Sequence, residues 1–255
     1  MKQKLFVVLP AYNEALSIGK LLSHIAEAMD DAGIDKFAIV IVNDGSQDNT
    51  LEVINSCATK MPIHVFSHEV NQGLGATIRD GLFEASKMAD PKDIIVTMDA
   101  DDTHTPGLIL RMVRMIREGH DVVIASRYRQ GSRIFGLSRW RKFLSYGASW
   151  LFRILFPIEG VRDFTCGFRA YRANVIQDAI QQYGDKFVDQ EGFQCMVDIL
   201  LKLRAMKIIF GEVPFILRYD QKEGVSKMKV MKTTTNSFKL IFTRLFIDPA
   251  KPVPK

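Results

Sequence analysis

Residues 94–104 run Ile94-Ile95-Val96-Thr97-Met98-Asp99-Ala100-Asp101-Asp102-Thr103-His104, an apolar run of strand length ending in three carboxylates within four residues. A nearly continuous β-branched run suits a strand buried on both faces. Three carboxylates this close repel one another unless a cation or a Lys or Arg side chain neutralises them. Alternation along an extended segment predicts Asp99 and Asp101 on one side. Oxygen-only ligands with room for water and phosphate suit Mg2+ or Mn2+, not zinc. An acidic surface turn is the competing reading, and His104 reads slightly better as a capping or core histidine than as a ligand.

Outward from this stretch the first 125 residues repeat one grammar. Strand-like runs at Leu5–Leu9, Phe37–Val42, Ile63–Ser67 and Val122–Ala125 alternate with helical patterns near 14–32, 48–60, 74–89 and 106–118. Asp48 is placed to cap the second helix and Pro106 to open the fourth. Such alternation predicts an α/β fold with a mainly parallel central sheet flanked by helices. Ligands in these sheets bind beyond the carboxyl ends of the strands. The polar clusters lie at those predicted ends. After strand one comes Pro10-Ala11-Tyr12-Asn13-Glu14, with a ring to stack on a base and a carboxylate to accept from it. After strand two comes Asn43-Asp44-Gly45-Ser46, with Asp44 placed for a base or ribose. Each also reads as an ordinary turn and helix start.

Several classes fall away. Asn71-Gln72-Gly73-Leu74-Gly75-Ala76 lacks the third glycine of a dinucleotide fingerprint and follows the third strand; no Walker A motif or nucleophile elbow occurs. The three cysteines, Cys57, Cys166 and Cys195, show no disulfide or zinc spacing. The N-terminal apolar run is too short for a secretion signal, and no stretch reaches the roughly 18 to 20 apolar residues of a membrane span. These features predict a cytoplasmic protein.

Charge is segregated. Residues 1–110 carry 8 Lys/Arg against 16 Asp/Glu, whereas 127–172 carry 10 against 2 and 202–255 carry 12 against 4. An acidic first half suits a metal, and a basic second half suits a phosphate-rich partner or an anionic membrane surface. Beyond Arg127 the pattern predicts a basic aromatic helix at 138–156, a strand at Cys166–Tyr171, helices near 173–182 and 190–205, and a strand pair at 207–218 broken by Pro214. A basic amphipathic helix follows at about 230–247. The catalytic domain is read as 1–230, with 231–255 as a basic amphipathic helix and tail.

Taken in order, these clusters resemble the family-two inverting glycosyltransferases of the GT-A fold. Ser126-Arg127-Tyr128, Trp140-Arg141-Lys142-Phe143-Leu144-Ser145, Asp163-Phe164-Thr165-Cys166-Gly167-Phe168-Arg169, Glu212-Val213-Pro214 and Gly224-Val225-Ser226-Lys227 resemble the dolichyl-phosphate mannosyltransferase branch. Asp102-Thr103 departs from the branch's Leu followed by Gln or Ser. The resemblance implies that Pro10, Tyr12, Glu14, Val42 and Asp44 hold the nucleoside, and that Asp99, Ala100 and Asp101 hold diphosphate, metal and sugar. Arg127, Arg141 and Ser145 would bind the acceptor phosphate, with Arg127 also near the donor. Arg218 and Lys227 would close over the donor diphosphate. Asp101, Arg127 and Arg141 are the implied catalytic residues.

The implied partners are a sugar nucleotide, most simply GDP-mannose, and a dolichyl or polyprenyl phosphate; a small membrane subunit is compatible and nucleic acid is not expected. UDP-glucose or UDP-N-acetylglucosamine remains open as donor. A soluble saccharide acceptor would call for Asp189 or Glu191 as base. A nucleotidyltransferase would want a Gly-rich basic loop where Pro10–Glu14 stands, and a non-catalytic membrane adaptor would need no metal. Trp140, Phe143, Leu144, Trp150, Leu151, Phe152, Leu155 and Phe156 on one helix suggest peripheral attachment to the cytoplasmic face of a membrane. So do Phe238, Leu240, Ile241, Phe242, Leu245, Phe246 and Ile247 on the other, with Lys232, Lys239 and Arg244 beside them. Plain core packing is the alternative.

Overall fold

The apolar runs of the first half become strands and the one-sided stretches between them become helices. In chain order these are β1 (Leu5–Ala11), α1 (Ile18–Asp31), β2 (Phe37–Asp44), α2 (Thr50–Ala58), β3 (Ile63–His68), α3 (Leu74–Met88), β4 (Ile94–Thr97), α4 (Leu108–Arg117) and β5 (Val122–Ser126). The second half adds β6 (Arg133–Phe135), α5 (Arg139–Leu155), β7 (Arg169–Arg172), α6 (Ala173–Tyr183), α7 (Gln194–Arg204), β8 (Phe210–Pro214), β9 (Ile216–Arg218) and α8 (Val230–Phe246). This computed structural model describes residues 3–221 and 230–246; the side chains of residues 139, 141–144, 230–234, 237, 238 and 245 lie outside the described set.

The main sheet has the order β3-β2-β1-β4-β7-β5-β8. β7 is antiparallel to β4 and β5, and the other pairings are parallel. Strand order reverses between β1 and β4, so the crevice beyond their carboxyl ends is the topological switch point where ligands of open α/β sheets sit. The antiparallel insertion has a positional consequence. The amino end of β7, carrying residues 163–168, arrives at the same rim as the carboxyl ends of β4 and β5. Thr97 Oγ1 donates to the Gly167 carbonyl at 2.7 Å, tying the two segments together.

Two expectations change. The strand predicted at Cys166–Tyr171 is regular only over Arg169–Arg172. The predicted strand pair at 207–218, broken by Pro214, is present as two strands in different sheets: β8 joins the main sheet, while β9 pairs in parallel with β6 in a separate two-stranded sheet.

All ten residues from Gln194 to Leu203 of α7 are buried, including two charged ones. Asp198 lies 2.7 Å from Lys202 Nζ and accepts from Arg244 Nε of α8 at 2.7 Å. Arg244, predicted as a membrane-facing cation, is instead only 6% exposed and holds α8 to α7. Leu240 and Ile241 likewise join the core, as do Phe152 of α5 and Phe156 just after it, leaving Trp140, Trp150, Phe242 and Phe246 outward. Phe143, Leu144, Phe238, Leu245, Ile247 and Lys232 fall outside the described side chains. Arg244→Ala leaves Asp198 with Lys202 alone, so its expected cost is about 3 kcal/mol, the lower end for a broken buried pair. Urea unfolding measures it.

Candidate active site

The regular strand ends at Thr97, so Asp99, Asp101 and Asp102 stand on the turn that follows β4. Asp102 adopts a left-handed φ of 55°. Its carboxylate meets α1, 3.1 Å from Lys20 Nζ and 3.1 Å from His24 Nδ1. One of the three carboxylates is thereby neutralised by the protein itself. Asp101, 8% exposed, accepts on Oδ1 from the Thr103 hydroxyl at 2.7 Å and the Thr103 N–H at 3.2 Å. Asp99 is the more open, with a side chain 38% exposed and Oδ2 3.5 Å from His104 Nε2. His104 is buried, stacked on Phe168 and edge-on to Phe215. Its Nδ1 accepts from the Asp99 N–H at 3.2 Å, so this core histidine fixes the backbone of the acidic turn. Ala100 is buried, and its carbonyl accepts from Ser17 Oγ at 3.2 Å.

Among the described residues, no three His, Cys, Asp or Glu side chains gather to cage a metal unaided. Two carboxylates at an open crevice are the donor set of a hard cation that completes its shell with water and phosphate oxygens. Asp99 and Asp101 could offer such oxygens, while Asp102 is engaged by Lys20 and His24.

The first two polar clusters interlock. Asn13, at φ 51°, donates its N–H to Ser46 Oγ at 3.0 Å and accepts from the Gln47 N–H at 2.8 Å. The Glu14 N–H donates to Thr50 Oγ1 at 2.7 Å. Asp48 accepts from the Thr50 N–H at 3.0 Å, but the N-cap of α2 is Asn49, not Asp48 as predicted, and it makes no side-chain cap bond. Pro10, Tyr12 and Glu14 are half-buried and Val42 is buried. Asp44, 3% exposed, is held by four groups. His68 Nδ1 lies 2.7 Å from Oδ1, the Gln72 and Gly73 N–H groups donate at 2.8 and 2.9 Å, and Asn71 Nδ2 donates to its carbonyl at 3.3 Å. His68 Nε2 in turn lies 2.9 Å from Asp80, which pairs with Arg79. His68 and Asp80 escaped the sequence reading. The Gly-rich segment dismissed as a dinucleotide motif has a scaffold use: Gly75 donates to the Glu191 carbonyl at 2.9 Å, and a Cβ there would sit 1.7 Å from the Gln190 oxygen.

The basic side is organised by a carboxylate. Arg127 grips Asp163 through Nε at 2.8 Å, Nη2 at 2.7 Å and its backbone N–H at 2.9 Å, with Nη2 also 2.5 Å from Thr165 Oγ1. Burial alone would raise the Asp163 carboxyl, but the Arg127 charge and hydrogen bonds outweigh it and hold it below the usual range. Glu212 Oε1 accepts from the Arg162 and Asp163 N–H groups at 2.6 and 2.7 Å. The wholly buried Arg169 donates to the Met196 and Phe164 carbonyls at 2.7 and 2.8 Å. Motif residues Asp163, Arg169 and Glu212 are therefore scaffold that shapes the loop. Ser145 Oγ lies 2.6 Å from the Tyr128 hydroxyl, whose pKa burial pushes up to about 12.

Arg141 sits on α5 four residues before Ser145, on one helical face, and its side chain lies outside the described residues, as does Lys227. Arg218 pairs with Asp220 at 3.0 Å and lies over the Phe135 ring, while its N–H donates to the Thr103 carbonyl at 3.2 Å. β9 is thus tied to the acidic turn. A Cβ on Gly167 would lie 3.3 Å from Asp99 Oδ1, so the turn that begins at Asp163 runs directly against Asp99. Acidic turn and arginine loop share one rim.

The chain is similar to known proteins over most of its length. The chain is 33% identical over 227 residues to a dolichol-phosphate mannosyltransferase of Pyrococcus furiosus, covering 89% of this chain and 59% of that protein. It spans less than two thirds of that relative's length. A polyprenol monophosphomannose synthase of Mycolicibacterium smegmatis is 29% identical, over 93% of this chain and 86% of the relative. Among solved structures, glucosyl-3-phosphoglycerate synthase of Mycobacterium tuberculosis, in complex with Mn2+, UDP-glucose and phosphoglyceric acid, superposes with a TM-score of 0.67. It is 17% identical and covers 96% of this chain and 80% of its own, a likeness of GT-A-like fold. The model of glycosyl transferase family 2 matches residues 6–179, and the chain belongs to that family.

Proposed function

We propose that the chain transfers a hexose from a sugar nucleotide, with GDP-mannose as donor, to a dolichyl or polyprenyl phosphate with inversion at the anomeric carbon. The observation that carries this reading is the shared rim, where Asp99 abuts the loop that Arg127 and Asp163 hold together. The names of the two mannosyltransferase relatives support the acceptor and sugar, and the Mn2+ complex of the structural neighbour supports a divalent cation.

Pro10, Tyr12, Glu14, Val42 and Asp44 receive the nucleoside, and Asp99, Ala100 and Asp101 face the diphosphate and sugar. Arg127, Arg141 and Ser145 orient the acceptor phosphate, since guanidinium forks match phosphate oxygens. Arg218 and Lys227 lie toward the donor diphosphate. A phosphate acceptor is already ionised near neutrality, so no general base is needed. One of its oxygens attacks the anomeric carbon while the bond to the diphosphate oxygen breaks, and the electron pair leaves with the nucleoside diphosphate. Asp99 and Asp101 would hold a divalent cation, which would supply neutralisation of the charge developing there. The expected product is a β-mannosyl polyprenyl phosphate; an α-linked product by NMR would overturn the inverting mechanism. Asp189, a base candidate for a soluble acceptor, is already paired with Lys202 at 3.2 Å, which favours the lipid phosphate.

No described helix is long and apolar enough to cross a membrane. Trp140, Trp150, Phe242 and Phe246, each more than 60% exposed, instead suit contact with a bilayer surface. In this reading the membrane contact is made at the cytoplasmic face.

His68 adds a testable positioning role. His68→Ala deprives Asp44 of a charge-assisted partner of about 1.5–3 kcal/mol. The expected result is a donor KM raised roughly tenfold or more with kcat little changed, and partial recovery in His68→Gln. Steady-state kinetics with varied donor decide it.

A further inference from the structure

Arg129, in the loop after β5, Arg153, near the end of α5, and Arg162, in the turn before β7, line one open cleft of about 310 Å³ with Pro157, Gly160 and Val161. Arg79, Arg114, Arg127, Arg172, Arg218 and Arg244 each pair with a carboxylate. The three cleft arginines have no such partner among the described residues. Glu159, the one acid between residues 127 and 162, does not line the cleft. Three exposed guanidinium groups around one concavity give it a positive potential that favours an anion.

The cleft is built on a fixed turn. The Arg162 N–H is held by Glu212 at 2.6 Å, and its carbonyl accepts from Ser149 Oγ of α5 at 2.5 Å. Gly160, at φ 80°, closes against β8, where a Cβ would lie 2.6 Å from the Phe210 oxygen. The backbone of Arg162 is thus held between α5 and Glu212 of β8.

What lies beside the cleft identifies the ligand. Tyr146, Trp150 and Ile154 of α5, spaced at i, i+4 and i+8, are 53, 64 and 54% exposed and form one outward apolar stripe. Arg153 belongs to the same helix. Aromatic side chains beside basic ones are the composition of a surface resting at headgroup depth. We propose that this cleft binds the phosphate of an anionic phospholipid headgroup and so holds α5 against the bilayer, apart from the Arg127–Arg141–Ser145 acceptor site. This rests on the membrane-surface reading and goes further by naming the lipid class and its ligands.

The test uses the full chain and vesicles of phosphatidylcholine, with or without about one-third phosphatidylglycerol, read by flotation. Wild type is expected to prefer the anionic vesicles, and the triple variant R129Q/R153Q/R162Q to bind them roughly a hundredfold more weakly, as three interfacial charges allow. The equal-charge control R111Q/R114Q/R117Q on α4 is expected to bind them nearly as wild type does; an equal loss there would overturn the site in favour of general charge attraction. With a short, water-soluble polyprenyl phosphate and no vesicles, the cleft variant is expected to retain its kcat/KM. Loss of that activity would overturn the assignment in favour of acceptor binding. Competition of inorganic phosphate at equal concentration to lipid phosphate would overturn it in favour of a free-anion site. Absence of wild-type vesicle binding would overturn both the headgroup site and the membrane reading, while transfer to the soluble acceptor reports on the transferase reading separately.

Discussion

Asp101→Asn is expected to lower kcat/KM about 10²–10³-fold, the scale on which removal of one preorganised charge-stabilising group acts. The reason for choosing Asn lies in the hydrogen bonds. Asp101 Oδ1 accepts from both the hydroxyl and the N–H of Thr103. An amide oxygen accepts equally well, so the turn keeps its shape and the lost charge is what activity reports. Asp102→Asn is the internal control. Its carboxylate serves the half-exposed Lys20 and His24 side chains, and exposed pairs contribute little. Its expected effect on transfer is within a few-fold, although it lies one residue away. Kinetics across a Mn2+ titration, with thermal midpoints of both variants, check the pair of outcomes.

The second large effect is on stability. Asp163→Ala removes the partner of a guanidinium that is itself largely buried, and breaking a buried pair from one side costs about 3–5 kcal/mol. At about 2–4 °C per kcal/mol for a chain of this size, the midpoint falls by on the order of 10 °C. Transfer activity should fall with it even below the new midpoint, because Asp163 Oδ1 also accepts from the Thr165 and Cys166 N–H groups that shape the loop beside Asp99. The pH dependence has a definite sign. Asp163 titrates lower in the folded chain than the ordinary carboxylate. Its contribution is therefore present above about pH 4 and lost as pH falls through the depressed folded value. Asp163→Asn should flatten that acid limb of the stability curve. Glu212, raised by burial, has the opposite sign and loses favourable contribution as pH rises through its folded pKa.

The parallel half of the fold was legible because strands buried on both faces must be apolar along their whole length. Leu5–Leu9, Phe37–Val42 and Ile94–Met98 differ from the observed strands only at their ends. The second half was less so. Hydrophobic runs carry no direction, so nothing in Cys166–Tyr171 announces that its strand enters antiparallel between β4 and β5. Nor does Pro214 tell that β8 and β9 part into different sheets.

In the site, the acidic cluster was visible as a local anomaly, but its division was not. Lys20 lies some eighty residues before Asp102, and only the fold brings α1 to the turn. The same holds for Arg127, whose partner Asp163 lies 36 residues on and meets it only in the fold. His68, a lone histidine at the end of a strand, offered no periodicity or motif that distinguished it from a core residue. Arg244 illustrates the reverse case: on a basic amphipathic helix it looks solvent-facing, yet a buried carboxylate on α7 claims it.

The most direct measurement is transfer itself. The purified chain is incubated with a polyprenyl phosphate, with and without Mn2+, and GDP-mannose, UDP-glucose or UDP-N-acetylglucosamine, and the lipid product is quantified. The expected result is a glycosyl polyprenyl phosphate formed from GDP-mannose, dependent on Mn2+ and abolished by EDTA. No lipid product from any donor, or undiminished transfer by Asp101→Asn, would contradict the account.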